Sequence, residues 1–103
     1  MNITVQELRE KLQLGEPLVL VDVREPWEHE EFNIGGHLIP VALLSHRLEE
    51  LEGYKDHEVV VYCRSGVRSA AAQALLELQG FRRVRNLMGG MVAWRSTFGD
   101  VRP

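Results

Sequence analysis

The amino-acid sequence predicts an α/β fold built on a central, mainly parallel sheet with helices on both faces. Two apolar runs rich in β-branched residues carry this prediction, one at residues 18–23 and one at residues 58–62. Such runs are typical of strands that are buried on both faces of a parallel sheet. Segments with a helical spacing of apolar residues alternate with these runs along the chain. This alternation favours a parallel sheet covered by helices.

The first predicted element is a helix from about residue 5 to residue 14. Thr4 and Glu7 have the spacing of a capping box, and apolar residues follow at helical intervals. Gly15 and Pro17 are expected to end this helix, because neither residue favours its continuation. The first strong strand then follows directly.

The middle of the chain is predicted to be less regular. Residues 24–36 form a polar loop with room for one helical turn. A short strand around residues 38–39 ends at Pro40. Leucines at helical spacing then predict an amphipathic helix over residues 43–51, which Gly53 stops.

The last part of the chain predicts a strand, a tight loop and a helix in succession. After the strand at residues 58–62, Ser69 opens an alanine-rich helix that runs to about Gln79. Its core-facing residues are expected to be Leu75, Leu76 and Leu78. A short strand at residues 83–87, a turn and a closing helix at residues 91–98 complete the fold.

Length and charge restrict the function. The 103 residues match one compact domain over residues 1–103. Twelve Lys and Arg residues against fifteen Asp and Glu residues give a net charge of -3, which argues against nucleic acid or an anionic membrane as a partner. No apolar stretch reaches the roughly 20 residues that cross a bilayer, and the N-terminus lacks an apolar signal. We therefore expect a cytoplasmic protein.

The cysteine and histidine content argues against a metal site. A single cysteine, Cys63, excludes an internal disulfide and a cage of thiolates. The four histidines lack the close spacing of metal ligands: His29, His37, His46 and His57. No metal and no cofactor are expected. Cys63 is therefore either an inert core residue or a reactive one.

The loop after the second strong strand favours a reactive cysteine. Cys63 lies at the carboxyl end of a strand and just before a helix N-terminus, where α/β sheets bind ligands and anions. We expect the converging backbone N–H groups of the loop, the helix N-terminus and the flanking Arg64 and Arg68 to hold the pKa of the thiol below its ordinary value of about 8.5. Gly66 fits a backbone position with positive φ or close ligand approach. The alternative is a small buried hydrophobe.

Three motifs of the chain resemble a known family. The most distinctive is YCRSGVRS at residues 62–69, and the others are VDVREP at residues 21–26 and VRNLMGG at residues 84–90, followed by Trp94. Together they resemble the rhodanese (sulfurtransferase) family, and specifically its small single-domain members. The segment GGHLIP at residues 35–40 departs from the pattern, because it is shorter than the corresponding segment of many members.

The resemblance implies a rhodanese-like fold and a two-step transfer of sulfur. Cys63 would attack a donor such as thiosulfate and carry the sulfur as a persulfide, which cyanide, a thiol or a protein acceptor would then take. The arginines of the loop would attract the anionic donor. The substrate-binding residues implied by the resemblance are Arg64, Ser65, Gly66, Val67, Arg68 and Ser69.

The length of the loop bears on the type of reaction. Four residues separate Cys63 from Arg68, whereas five separate the cysteine and arginine in cysteine phosphatases of similar fold. A shorter loop closes a smaller ring of backbone donors, which suits one sulfur atom better than a phosphoryl group. This favours sulfur transfer over phosphatase or arsenate reductase activity. A non-catalytic or sulfur-carrier binding module is the other alternative.

Some charged residues outside the loop are assigned structural roles. Asp22 and Arg24 are predicted to form a charge network that ties the loop after the first strong strand to the active-site side. His37 is interpreted as a hydrogen-bonded structural residue near the rim of the pocket. The densest positive cluster is interpreted as a solvated face: Arg82, Arg83 and Arg85.

Overall fold

The computed structural model describes residues 1–103. The five strands are β1 (Asn2–Ile3), β2 (Leu18–Asp22), β3 (His37–Leu38), β4 (Glu58–Tyr62) and β5 (Arg83–Leu87). The four α-helices are α1 (Val5–Gln13), α2 (Pro26–Glu31), α3 (Val67–Leu78) and α4 (Gly90–Phe98). Two 3₁₀ helices, Val41–His46 and Leu48–Tyr54, lie between β3 and β4. None of the helices combines the length and the apolar character that crossing a bilayer requires.

The five strands form one sheet in the order β1-β5-β4-β2-β3, and every neighbouring pair is parallel. This confirms the predicted α/β class with a parallel sheet. β4 lies at the centre, and all five of its residues are buried. Val61 is in register with Val21 on one side and with Asn86 on the other. The segments that follow β2, β4 and β5 therefore emerge side by side at one edge of the sheet.

The core has two layers, one on each face of the sheet. One layer includes Leu44 and Leu51 of the 3₁₀ helices and Leu76 of α3. The other includes Leu8 of α1 and Trp94 of α4. Helices on both faces are thus confirmed. Each fully buried leucine contributes about 1.5–3 kcal/mol to folding through the area it removes from water.

Most predicted elements have the expected positions. The helix predicted over residues 5–14 is α1. Thr4 caps its N-terminus, because the Thr4 hydroxyl oxygen accepts a hydrogen bond from the Glu7 N–H at 3.1 Å. The two strong strands are β2 and β4, and the helical turn expected within residues 24–36 is α2. The predicted final strand and helix are β5 and α4. Local sequence pattern thus dictates most of this fold.

The segment between β3 and β4 departs from the prediction. The α-helix predicted over residues 43–51 is wrong, because two 3₁₀ helices with Arg47 between them occupy this stretch, and Gly53 lies within the second. The Arg47 N–H bonds to the Leu44 carbonyl at 3.1 Å, the i→i+3 pattern of a 3₁₀ helix. A leucine every three or four residues fits both helix types, and Leu44 and Leu51 reach the core as expected.

Two smaller differences concern α3, and one concerns the N-terminus. The helix begins at Val67, two residues before the predicted Ser69, whose side chain is buried and turned toward Cys63. Leu78 was expected in the core but is 83% exposed. β1 was not predicted, because a strand of two residues is too short to show an alternation of apolar and polar residues. It adds an edge strand beside β5.

Candidate active site

The site is built on the loop between β4 and α3. Cys63 follows the last residue of β4, and Gly66 precedes α3 with a φ of +102°. A Cβ atom at Gly66 would have its nearest contact at 3.8 Å, so space is available there. The left-handed backbone, rather than crowding, is what favours glycine. This turn folds the loop over the side chain of Cys63.

The Cys63 sulfur lies within a set of hydrogen-bond donors from the loop. The backbone N–H of Gly66 donates to Sγ at 3.1 Å, and that of Ser69 donates at 3.4 Å. The Ser69 hydroxyl oxygen lies 3.2 Å from Sγ. Cys63 as a residue is only 1% exposed. The loop and the first turn of α3 therefore converge on one buried sulfur atom, as a site for an anion requires.

The environment of Cys63 changes the acidity of its thiol. Burial is the largest influence and by itself raises the pKa. The contact from the Ser69 hydroxyl and the backbone N–H groups of Ser69, Gly66 and Ser65 act in the opposite direction, because they stabilise the thiolate. They outweigh burial, and the pKa lies below its ordinary value. The predicted lowering is confirmed, and the hydrogen bonds within the loop, which include the expected backbone N–H groups, are its main source.

The N-terminus of α4, which follows the neighbouring strand β5, donates hydrogen bonds to the cysteine loop. The Met91 N–H donates to the Cys63 carbonyl at 2.9 Å, and the Val92 N–H donates to the Arg64 carbonyl at 2.9 Å. A Cβ atom on Gly90 would lie 2.3 Å from the Cys63 carbonyl oxygen, which is far too close. The second glycine of the GG pair therefore permits the two loops to touch. The sequence had indicated only a turn at this pair.

The second arginine of the motif, Arg68 in the first turn of α3, is held in an ion pair. Arg68 donates from Nη1 and Nη2 to the two carboxylate oxygens of Glu28, at 2.7 and 2.9 Å. The hydrogen bonds from Arg68 are the main reason that the pKa of Glu28 falls to about 2. Glu28 lies on α2, 40 residues earlier in the chain. The binding of the donor by Arg68 stays a prediction, and the structure shows this guanidinium already engaged with a carboxylate.

The first arginine of the loop is differently placed. Arg64 is exposed and has no ion pair within the structure. It lines a cavity of about 310 Å³ between α2 and α4, next to the cysteine loop. The other lining residues are Arg24, Trp27, Glu28, Glu31, Met91, Val92 and Arg95. Arg64 is thus the loop cation whose charge is available to a ligand.

Asp22 and Arg24 form a buried network beside the site. Asp22 is fully buried and accepts hydrogen bonds from Arg24 Nε at 2.9 Å and from Arg24 Nη2 at 2.7 Å. His29 Nδ1 also lies 2.8 Å from the Asp22 carboxylate. Arg24 Nη2 donates further to the carbonyl of Phe32 at 2.7 Å. These contacts are those of the predicted structural network, and His29 is a member that the sequence did not reveal.

His37 and the positive cluster lie apart from the cysteine loop. His37 packs against the ring of Tyr54 with centroids 5.7 Å apart, at the β3 edge of the sheet. Arg85, interpreted as part of a solvated face, is instead half-buried in ion pairs with Glu7 and Glu58. Its neighbours Arg82 and Arg83 are exposed, as expected. Neither feature contributes a hydrogen bond to the Cys63 sulfur.

The protein combines a parallel α/β sheet with a cysteine that accepts hydrogen bonds at a helix N-terminus. This combination defines a class of proteins in which a loop surrounds a cysteine and forms a site for an anion. Within that class, the model of the rhodanese-like domain matches residues 4–97. The chain belongs to the rhodanese-like family.

Comparisons with individual proteins agree with this assignment. A sulfurtransferase of Allochromatium vinosum is 43% identical over 90% of this chain and 86% of its own length. The probable adenylyltransferase/sulfurtransferase MoeZ of Mycobacterium tuberculosis is 42% identical over 90% of this chain, which spans about a quarter (24%) of that protein. The crystal structure of a rhodanese-like domain protein from Staphylococcus aureus superimposes with a TM-score of 0.83 at 35% identity, covering 91% of each chain. These relatives support a rhodanese-type sulfur-transfer role.

Proposed function

We propose that the chain is a sulfurtransferase that moves a sulfane sulfur from thiosulfate, or a similar donor, to a thiophilic acceptor through a persulfide on Cys63. The observation that carries the proposal is the set of donors around Sγ, from the N–H groups of Gly66 and Ser69 at 3.1 and 3.4 Å. Such donors favour a thiolate, the form in which sulfur is a nucleophile.

The first step loads the enzyme. The Cys63 thiolate attacks the outer sulfur of thiosulfate, a new S–S bond forms, and the bond between that sulfur and the sulfonyl sulfur breaks. The bonding electrons leave with sulfite, so the negative charge moves to the terminal sulfur of the persulfide. Backbone N–H groups of the loop stabilise this charge as it develops. No proton, oxidant or reductant is needed.

The second step returns the free thiolate. A nucleophilic acceptor such as cyanide attacks the terminal sulfur, the S–S bond of the persulfide breaks, and thiocyanate leaves. A small thiol or a thiol of a protein accepts the sulfur in the same way. Because the enzyme alternates between two covalent states, we expect ping-pong kinetics.

Two arginines are assigned to the anionic donor, and their different surroundings support different contributions. Arg64 is exposed, has no ion pair and lines the adjacent cavity, so we assign it the main role in attracting thiosulfate and stabilising sulfite. Arg68 adds positive charge near Cys63, while its fork of donors binds Glu28. Ser65, Gly66, Val67 and Ser69 supply the loop around the transferred atom.

We also propose that residues 1–103 form one domain and that the protein is cytoplasmic. Two core layers on opposite faces of one sheet support the first proposal. A lone cysteine that acts as a thiolate suits a reducing compartment, which supports the second.

Intact-protein mass spectrometry tests the proposal directly. Treatment with thiosulfate should add about 32 Da, the mass of one sulfur atom, and cyanide should remove it. The Cys63→Ser variant should fold, as judged by circular dichroism, and gain no mass. Because Cys63 is the only cysteine, the double variant Cys63→Ser, Ser45→Cys offers a matched control with one thiol at an exposed site, and it should also gain no mass.

The contrary results are equally clear. A folded wild-type protein that gains no mass would contradict the persulfide mechanism and favour the binding module. Turnover of a phosphate ester or of arsenate without an adduct would favour the phosphatase or reductase alternative. A mass gain on the Ser45→Cys control would show that any accessible thiol reacts, and that the loop has no special role.

A further inference from the structure

Asn86 lies beneath the cysteine loop and touches it twice. It belongs to β5 and is buried, with 8% exposed. Its Nδ2 donates to the Gly66 carbonyl at 3.0 Å, and its Oδ1 accepts from the Ser69 hydroxyl at 2.6 Å. A carbonyl can only accept, so Gly66 fixes which end of the amide is the donor. The oxygen of Asn86 must therefore face Ser69.

The Ser69 hydroxyl has one proton and two possible acceptors. Asn86 Oδ1 at 2.6 Å holds that proton, while Cys63 Sγ lies 3.2 Å from the same hydroxyl oxygen. A protonated thiol fits this arrangement, because its S–H donates to the hydroxyl oxygen. A thiolate can accept a hydrogen bond from this hydroxyl only when the hydroxyl turns toward Sγ. Turning it leaves the buried oxygen of Asn86 without a donor, which is unfavourable.

We propose that Asn86 is a positioning residue that competes with Sγ for the proton of the Ser69 hydroxyl and thereby weakens the hydrogen bond from that hydroxyl to the Cys63 thiolate. In the persulfide, Sγ carries neither proton nor full charge, so the hydroxyl stays on Asn86 without loss. Asn86 therefore destabilises the free thiolate relative to the loaded state. A thiolate with weaker hydrogen bonding is also the better nucleophile. The inference rests on the proposed function only in taking Cys63 as the nucleophile.

Charged groups around the site bear on any titration of the thiol. They are Arg64 on the loop, Arg68 on α3, Glu25, Glu28 and Glu31 at or within α2, Arg95 on α4, and the buried Arg24. The substitutions that test Asn86 change none of these residues and introduce no charge. A shift in the titration then reports on the hydroxyl rather than on a change in local charge.

The test is a double-mutant cycle read through the titration of the single thiol, by thiolate absorbance and by the pH dependence of iodoacetamide alkylation. Ser69→Ala should raise the pKa of Cys63, because the hydroxyl is lost. Asn86→Leu should lower it by about 0.5–1 unit, a three- to tenfold change in the ionisation constant, because the hydroxyl is freed for the thiolate. In the Ser69→Ala background, Asn86→Leu should have no effect.

Two results would overturn the proposal. One is a rise in the pKa of the Asn86→Leu thiol. The other is an equal decrease in the presence and in the absence of Ser69, which would show that Asn86 acts through loop structure instead. Asn86→Ala is measured beside Asn86→Leu, so that a folding defect of the larger side chain does not decide the outcome. The titration needs no sulfur donor, so a protein that forms no persulfide still answers this question separately.

Discussion

The two ends of the central strand β4 differ in whether their charged groups have partners within the protein. At the amino end, Glu58 is buried and pairs with Lys11 at 3.3 Å and with Arg85 at 3.2 Å. At the carboxyl end, the sulfur of Cys63 receives hydrogen bonds from neutral donors of the loop, and the adjacent Arg64 has no partner. The charged groups at the first end are paired with one another within the protein. Charge at the second end is left available to a ligand.

The comparison separates residues that stabilise the fold from residues that are free to act. A buried carboxylate without a partner is costly, so the pairs around Glu58 are needed for stability. An exposed arginine needs no partner, because water solvates it. Arg68 lies between the two cases. It lies in the first turn of α3, next to the cysteine loop, yet it is paired with the buried Glu28 in the manner of the amino end.

The sharpest test of this comparison uses the two loop arginines. Arg68→Gln should lower the free energy of unfolding by about 1–3 kcal/mol, because Glu28 is left buried without its partner. Arg64→Gln should leave stability unchanged and raise KM for thiosulfate roughly tenfold, because a charge-assisted contact to the donor is lost. Urea denaturation and steady-state thiosulfate:cyanide kinetics measure the two quantities.

The exposed Arg83 on β5 supplies the control, since Arg83→Gln makes the same charge change away from the loop and should alter neither quantity. The reverse outcome, with Arg64→Gln unstable and Arg68→Gln defective only in KM, would invert the assignment of the two arginines.

The amino end offers a second test with a smaller effect. Glu58→Gln should cost about 1–2 kcal/mol of stability, because Lys11 and Arg85 each lose one of two carboxylate partners in a largely buried setting. Glu16 also pairs with Lys11, but its side chain is 43% exposed. Glu16→Gln should therefore cost less than about 0.5 kcal/mol. Neither variant should change thiosulfate kinetics, and a kinetic defect in Glu58→Gln would mean that the two ends of β4 are coupled.

How much of the site could be predicted depends on how far apart in the sequence its contacting residues lie. Cys63 and its N–H donors lie within a few residues of one another, so the local pattern of strand end, glycine and helix start was enough to predict them. The partners that complete the site come from far along the chain: Glu28 lies 40 residues from Arg68, and Asn86 lies 17 residues from Ser69. Such pairings depend on which strands are neighbours. A single sequence does not state strand order.

The 3₁₀ segment shows a different limit. The leucine spacing located the buried side chains correctly, with Leu44 and Leu51 in the core. It did not distinguish periods of 3.0 and 3.6 residues, because the two nearly coincide over one or two turns. The position of a core residue is therefore more predictable than the hydrogen-bond pattern of the backbone that carries it.

The smallest expected effect concerns pH and the Glu28 pair. The pKa of Glu28 falls from 4.5 to about 2 in the folded protein, mainly through its hydrogen bonds from Arg68. A carboxyl group with a lowered pKa stabilises the fold fully above its unfolded pKa, near 4.5, and loses that contribution as the pH falls toward 2. Because the Arg68 side chain is 34% exposed, solvent screening limits the loss to about 1 kcal/mol.

Urea unfolding of the wild type and of Glu28→Gln, above pH 4.5 and at about pH 3, measures this dependence. The wild type should lose more stability on acidification than the variant does, since a glutamine side chain does not titrate. Glu31→Gln is the control on the same helix, because Glu31 is exposed where it pairs with Arg95, and its acid dependence should equal that of the wild type. If Glu28→Gln kept the acid dependence of the wild type, the Arg68 pair would contribute nothing to stability. Arg68 would then join Arg64 as a cation available to the donor, and the difference between the two loop arginines would disappear.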